Sequence, residues 1–157
     1  MPQTPDIGLL HRPLFAQLDP AARPRLLAAL ERIAAERYRS WATTLPDHAD
    51  ALTACATDEE EVAARIEAVF AVDDSAKGLI DSMLPSARQT YAELFDGLDL
   101  REQLGLQANA EGQGAEAWRR IAATHPDSIA VLELEACAVL EERSADRLRV
   151  MLSGSWA

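Results

Sequence analysis

Two segments of the sequence are similar to each other and form an internal repeat. Residues 14–47 and 94–127 align at a constant offset of 80 positions without an insertion, and they are identical at 14 of 34 positions. Segments 55–66 and 137–148 continue the similarity at an offset of 82. Self-similarity of this kind indicates one supersecondary unit that occurs twice and packs against its own copy.

Composition and helix-end signals predict that this unit is a helical hairpin. The sequence is 48% apolar with only 5% aromatic residues, and it lacks the period-two runs of valine and isoleucine that indicate strands. Asp99 with Glu102 is a helix-start signal, and Pro46 and Pro126 are stop signals. Two long hairpins joined by a long crossover are typical of an all-α four-helix bundle with pseudo-two-fold symmetry. The predicted helices lie near 24–45, 48–70, 100–124 and 128–152.

The chain is short enough to be a single domain, 1–157. Its predicted parts are an N-terminal arm (1–18), a first hairpin (19–70), a crossover (71–98), a second hairpin (99–152) and a tail (153–157). Residues 1–13 of the arm are expected to be extended, and residues 14–18 to form a short helical turn. Pro85-Ser86 is expected to divide the crossover into two short helices. The tail is expected to be loose, with Trp156 able to fold back.

Charge and targeting signals limit the partners and the location. A net charge of −11 disfavours nucleic acid and anionic membranes, whose phosphates attract basic surfaces. The sequence has neither a signal peptide pattern nor an apolar run long enough to span a bilayer, so we expect a cytoplasmic protein. Two cysteines without a CxxC spacing exclude a structural zinc cluster. A homodimer is left open, and no small-molecule substrate is indicated.

Helical wheels place one glutamate on the apolar face of each predicted helix. These are the candidate metal ligands, and the list is Glu31, Glu59, Glu111 and Glu141. Glu60 and Glu142 lie at the edge of the apolar arc and are second choices. Glu36 and Glu116 lie nearly opposite it, so we expect them to face solvent and to pair with the arginines three residues later, Arg39 and Arg119.

Four carboxylates that converge in an apolar core need cations, protons or arginines, because they repel one another and lose hydration. Oxygen-rich clusters suit hard or borderline ions such as iron or manganese. The alternative is that one or more of these glutamates reaches a bundle end or is protonated. Glycines inside the third predicted helix, Gly112 and Gly114, indicate close packing around Glu111.

At this point the chain resembles the ferritin-like superfamily, in particular its rubrerythrin and bacterioferritin branch of di-iron carboxylate bundles. The resemblance rests on the glutamate of each helix and on an aromatic residue seven positions after Glu31 and Glu111, namely Tyr38 and Trp118. The family pattern has Glu-x-x-His on the second and fourth helices. Here Val62 follows Glu59 and Ser144 follows Glu141 at those places. The resemblance therefore implies a divergent member without the motif histidines.

The remaining histidines and cysteines have simpler interpretations. His11 lies in the arm, and His48 and His125 lie at the hairpin bends, so we expect surface or capping roles. Cys55 and Cys137 stand one turn from Glu59 and Glu141 on the same faces. They are interpreted either as small buried apolar residues or as a redox pair or soft metal ligands near the pseudo-axis.

Three functions remain open at the level of the sequence. The first is a dinuclear iron or manganese site for oxidation or iron handling, which the resemblance implies. The second is a metal-free ferritin-like bundle that acts as a binding or protein-interaction module. The third is a helical enzyme with a protonated glutamate as general acid. Whether the protein is an enzyme is left open.

Overall fold

The protein, described here by a computed structural model over residues 4–154, is all-α, as the sequence predicts. All regular secondary structure in this range is helical. Four long helices correspond to the predicted ones and differ from them by one residue or so at each end. The elements in order are α1 (Ile7–Leu10), α2 (Arg12–Phe15), a 3₁₀ turn (Pro20–Ala22), α3 (Arg23–Thr44), a 3₁₀ turn (Pro46–His48), α4 (Ala49–Val69), α5 (Asp74–Phe95), α6 (Leu100–Thr124) and α7 (Ser128–Ser153).

α6 and α7 begin where the sequence has capping residues, whereas α3 and α4 begin after 3₁₀ turns without a side-chain cap. The Asp99 side chain accepts a hydrogen bond from the Glu102 backbone N–H, and the Glu102 side chain accepts one from the Asp99 N–H, which makes a capping box at the start of α6. Asp127 caps α7 by accepting from the Ile129 N–H. Pro46 follows the end of α3 closely. These local signals explain why the predicted helix bounds agree with the structure.

The long helices pack in three close pairs. α3 lies against α4, α6 against α7, and α4 against α7. Two buried apolar clusters draw on all four of these helices, one including Ile66, Trp118 and Leu134 and the other including Tyr38 and Leu148. α5 packs against α3 through a separate third cluster. This arrangement leaves the two inner clusters, and the carboxylates between them, enclosed by α3, α4, α6 and α7.

The predicted break at Pro85-Ser86 is wrong, because α5 runs without interruption through Pro85. Proline removes one backbone hydrogen bond and leaves the carbonyl four residues earlier, that of Asp81, without its helical donor. Both Pro85 and Asp81 lie on the exposed face of α5, where water can satisfy that carbonyl. The opposite face holds the helix together, since Met83 is buried against α3.

The N-terminal arm is also more ordered than predicted. Residues 7–15 form the two helical turns α1 and α2 instead of an extended segment. The arm is fastened to α6, where Gln113 accepts from the Ile7 N–H (2.9 Å) and donates to the Pro5 carbonyl (3.0 Å). Ser153 belongs to α7. The prediction for the rest of the tail, including Trp156, falls outside the described residues.

Within residues 4–154, no helix is both long enough and apolar enough to cross a bilayer.

Candidate metal centre

The four predicted glutamates come from four different helices and meet in the interior. Glu59, Glu111 and Glu141 are buried, with exposures of 0%, 2% and 1%. Glu31 is half-buried and lines a cavity beside the cluster. One carboxylate oxygen from each of Glu31, Glu59 and Glu141 lies within 4.8 Å of the other two. Carboxylates at this spacing can share a cation or a proton.

The four carboxylates differ in the partners that the protein supplies. Glu111 accepts hydrogen bonds from the Tyr38 hydroxyl (2.5 Å) and from Gln107 Nε2 (2.6 Å). Glu141 accepts one from Trp118 Nε1 (2.9 Å). Both oxygens of Glu59 are buried and accept no hydrogen bond from an N–H or hydroxyl donor among the described residues; the carboxyl groups of Glu111 and Glu31 lie within hydrogen-bonding reach and can share a proton with it. Glu59 is therefore the least satisfied polar group of the cluster.

Burial and mutual repulsion raise the pKa values of these acids. The pKa of Glu59 lies well above its ordinary value, first because of burial and then because of the negative charges of Glu111 and Glu31. Burial and the charge of Glu31 raise the pKa of Glu141 in the same direction. The pKa of Glu31 is raised to about 8, again mainly by burial, although the Arg37 guanidinium opposes the rise. Without a bound cation, the cluster therefore holds protons near neutral pH.

Gly114 makes room for a carboxylate, but not for the one that the sequence indicated. A Cβ atom at position 114 would lie 3.0 Å from Cδ of Glu141 and 3.1 Å and 3.2 Å from its two oxygens. The prediction of close packing around Glu111 is thus wrong for this glycine. Gly112 has no comparable contact, since its nearest neighbour is a guanidinium nitrogen of Arg149 at 4.0 Å. Only Gly114 admits the Glu141 carboxylate against the backbone of α6.

The second-choice ligands do not join the cluster. Glu60 pairs with Arg39 at 2.7 Å, and Glu142 pairs with Arg119 at 2.5 Å; both ion pairs are on the surface.

Glu36 and Glu116 are exposed, as predicted. The predicted pairings with the arginines three residues later are wrong, because Arg39 and Arg119 bond across to other helices instead.

The positions of the missing histidines are buried beside the cluster. Val62 and Ser144 are both 0% exposed. The Ser144 hydroxyl oxygen has no hydrogen-bond partner among the described residues. Val62 offers no ligand atom.

Among the described residues, no histidine belongs to the group of carboxylates that could hold a metal, but His11 lines the cavity beside it and is not a surface residue. It is 1% exposed and packs against the Tyr91 ring, with a centroid separation of 4.9 Å. The arm folds over α5 and α6 and buries it, which the arm's composition did not reveal. His125, at the second bend, accepts a hydrogen bond from the Asp127 N–H, as expected of a capping residue. His48 lies in the 3₁₀ turn of the first bend.

The two cysteines behave as buried apolar residues. Both are free and 0% exposed. Cys55 Sγ donates to the Ser144 carbonyl, and Cys137 Sγ donates to the Val62 carbonyl, each at 3.9 Å. Burial raises the pKa of Cys55 to about 11 and that of Cys137 to about 12. Thiols in this state are poor nucleophiles and poor candidates for a redox pair.

Sequence reasoning missed the cation beside the cluster, Arg37. Its Cζ lies 4.3 Å from the Tyr91 ring centroid and 4.8 Å from that of Phe95, and its Nη1 donates to Gln107 Oε1 at 2.8 Å. Arg37 is well off the apolar face of α3 on a helical wheel, about 120° from Glu31. The packing of α5 against α3 encloses it, and no periodicity in the sequence signals that packing.

Comparison with known proteins adds no relative. No protein-family model matches the chain, and searches of curated proteins and of solved structures found no significant match. The ferritin-like resemblance therefore depends on the residues and helix contacts described above.

Proposed function

We propose that the protein is a divergent ferritin-like bundle that binds divalent iron or manganese through a carboxylate-only site. The ligands are Glu31, Glu59 and Glu141, with Glu111 as the fourth carboxylate. The observation that carries the proposal is Glu59, a fully buried carboxylate whose two oxygens accept no hydrogen bond from an N–H or hydroxyl donor among the described residues and which lies beside two further carboxylates. A buried group of this kind costs several kcal/mol unless something neutralises it.

The donor set fits a hard or borderline divalent ion. Carboxylate oxygens suit iron(II) and manganese(II), and the absence of histidine from the cluster favours them over softer ions. Hydrogen bonds to Glu111 from Tyr38 and to Glu141 from Trp118 fix two of the ligands, as groups around a metal site commonly do. The resemblance adds the expectation of two ions per chain. Bound ions of this type supply Lewis acidity and, for iron or manganese, redox chemistry.

The finer architecture that we propose is a pair of pseudo-equivalent hairpins, α3–α4 and α6–α7. Two features support it. Each hairpin contributes two glutamates, and the two cysteines make reciprocal bonds across α4 and α7, from Cys55 to Ser144 and from Cys137 to Val62. When residues 137–148 are aligned on residues 55–66, Cys137 matches Cys55 and Ser144 matches Val62. Each of the two bonds therefore corresponds to the other. The aromatic partners depart from this symmetry, since Tyr38 bonds across the hairpins whereas Trp118 bonds within its own.

Manganese(II) uptake tests the proposal. We expect wild-type protein to bind Mn(II), measured by metal analysis after equilibrium dialysis, and its thermal midpoint to rise with the ion concentration. An ion at 100 times its dissociation constant adds about 2.7 kcal/mol of stability. Glu59→Ala should abolish uptake because the cluster loses a ligand that has no other role. Glu60→Ala is the matched control, since Glu60 is the next residue but lies in a surface ion pair.

A gain-of-function variant tests the geometry independently. Val62→His with Ser144→His places a histidine three residues after Glu59 and Glu141, as in the full family motif. We expect tighter Mn(II) binding in the double variant than in wild type. If neither wild type nor the double variant takes up Mn(II) or Fe(II), the metal site is refuted, and the metal-free binding module is the better description.

A further inference from the structure

A second set of unsatisfied polar atoms lies in the cavity beside the carboxylate cluster. Both ring nitrogens of His11 and Nη2 of Arg37 are buried and have no hydrogen-bond partner among residues 4–154. His11, Arg37 and Tyr91 line the same cavity of about 110 Å³, together with Glu31 and Glu141. Arg37 reaches the glutamates only through Nη1, which donates to Gln107, and its Nη2 is left over. Buried polar atoms without a protein partner require one from outside the chain, which is water, an ion or a ligand.

The structure holds these groups in place. The Tyr91 ring lies between His11 and Arg37, at 4.9 Å from the His11 ring and 4.3 Å from the guanidinium carbon. Phe95 contacts the guanidinium as well, at 4.8 Å, and Gln107 accepts from its other terminal nitrogen. Arg37 is thus fixed by two aromatic rings and one hydrogen bond, while Nη2 remains free for a ligand. Such pre-organisation lowers the entropic cost of binding.

The remaining walls of the cavity set the size and polarity of that ligand. Phe15, Leu27, Leu30 and Leu106 form an apolar surface. A cavity of about 150 Å³ accommodates benzene, so this one takes a ligand of only a few heavy atoms. Phosphate or sulfate would bury several oxygens that these walls cannot satisfy, which is costly. A short aliphatic chain that ends in one carboxylate matches both the apolar surface and the two donors.

We propose that this cavity binds a short-chain monocarboxylate, with its carboxylate held by Arg37 Nη2 and a His11 N–H and its alkyl chain against the leucines. The inference rests on the proposed metal function, because any of Glu31, Glu111 and Glu141 that stays ionised without a metal repels an anion, and a bound cation offsets that charge. It names the class of substrate or co-ligand that lies beside the metal. Binding of the ion and of the carboxylate should therefore be positively coupled, each raising the affinity of the other by the same factor.

Calorimetric titration with propionate tests this proposal on the full chain, with and without Mn(II). We expect saturable binding to the Mn(II)-loaded protein, weaker binding to the metal-free protein, and none of the isosteric neutral amide, propionamide. Arg37→Met keeps a chain between the two rings but removes the charge, and it should weaken binding about tenfold or more, as expected for one charged hydrogen bond. Arg88→Met is the matched control, since Arg88 pairs with Glu36 on the surface.

The outcomes separate this inference from the metal proposal. Mn(II) uptake without propionate binding overturns the carboxylate site and leaves the metal site intact. Propionate binding without Mn(II) uptake supports the carboxylate site, and it refutes the metal site if Fe(II) and the double histidine variant also give no uptake. Absence of both refutes both. The inference is also overturned if Arg37→Met and His11→Phe leave propionate binding unchanged. If these variants do not fold, the titration of the wild-type protein alone decides the inference.

Discussion

Asp58 and Glu59 are neighbours on α4 and are both buried acids, but the protein treats them in opposite ways. Asp58 is 5% exposed and accepts hydrogen bonds from two arginines of α7, including one from Arg143 Nε at 3.0 Å and others from Arg143 and Arg147. Glu59 is 0% exposed and accepts no hydrogen bond from an N–H or hydroxyl donor among the described residues. Arginines of the chain thus neutralise Asp58, but no arginine among the described residues pairs with the next residue, Glu59.

This difference indicates what the carboxylate cluster requires. The sequence supplies arginine where a buried carboxylate has a structural role, as at Asp58. Beside the cluster, the guanidinium of Arg37 is bonded to Gln107 and stacked on Tyr91 instead of paired with a carboxylate. We infer that the cluster is neutralised from outside the chain, by protons or by metal ions. The following predictions test that inference.

The largest expected effect comes from neutralising the two acids separately. In metal-free protein, Asp58→Asn should lower the free energy of unfolding by about 2 kcal/mol, because two arginines lose an ionised acceptor. Glu59→Gln should raise it by about 1 kcal/mol or more, since the folded state no longer has to bury or protonate a carboxylate. Urea unfolding measures both changes. A loss of stability in Glu59→Gln equal to that in Asp58→Asn would contradict the comparison.

The second prediction concerns pH. The pKa of Glu31 is raised to about 8 in the folded protein from an ordinary value of 4.5, so between these values the folded chain holds a proton that the unfolded chain releases. Its contribution to stability is complete below the lower value and is lost as pH rises through the upper one. Metal-free protein should therefore become less stable from about pH 5 to pH 8.

Urea unfolding at several pH values, with Glu31→Gln as the control, measures this slope. The variant should show a flatter dependence because it cannot titrate. Saturating Mn(II) should also flatten or reverse the slope, because ligands must lose their protons to bind a metal. A wild-type stability that rises steadily over this range without metal would contradict the prediction.

The smallest expected effect distinguishes the two glycines of α6. Gly112→Ala should stabilise the protein by up to about 1 kcal/mol, because alanine favours the helix and the site has space. Gly114→Ala adds a Cβ at 3.0 Å from Cδ of Glu141, so it should gain less stability and should weaken Mn(II) binding by moving that ligand. Equal Mn(II) affinity in the two variants would show that Gly114 does not position Glu141.

Helical periodicity predicted which glutamates face the interior of the protein, but it did not predict which other residues surround them. The three-to-four residue spacing of apolar side chains identified the glutamates that point inward, and the same wheels placed Glu36 and Glu116 outside. Arg37 was missed because only the packing of α5 on α3 encloses it. His11 was missed because nothing in the arm's own sequence signals its burial, which results from packing against Tyr91 of α5 and from the bond that fastens Ile7 of the arm to Gln113 of α6.

By itself, the sequence determined α3, α4, α6 and α7, their ends to within about a residue, and the four carboxylates on their apolar faces. These features depend on residues within a few turns of one another, so local capping and spacing are sufficient to specify them. The tertiary structure alone decided which carboxylates have partners, that Gly114 admits Glu141, and that His11 and Arg37 meet across Tyr91. Such contacts join residues that are distant in sequence. They depend on how the helices pack, and no periodicity along a single helix encodes that.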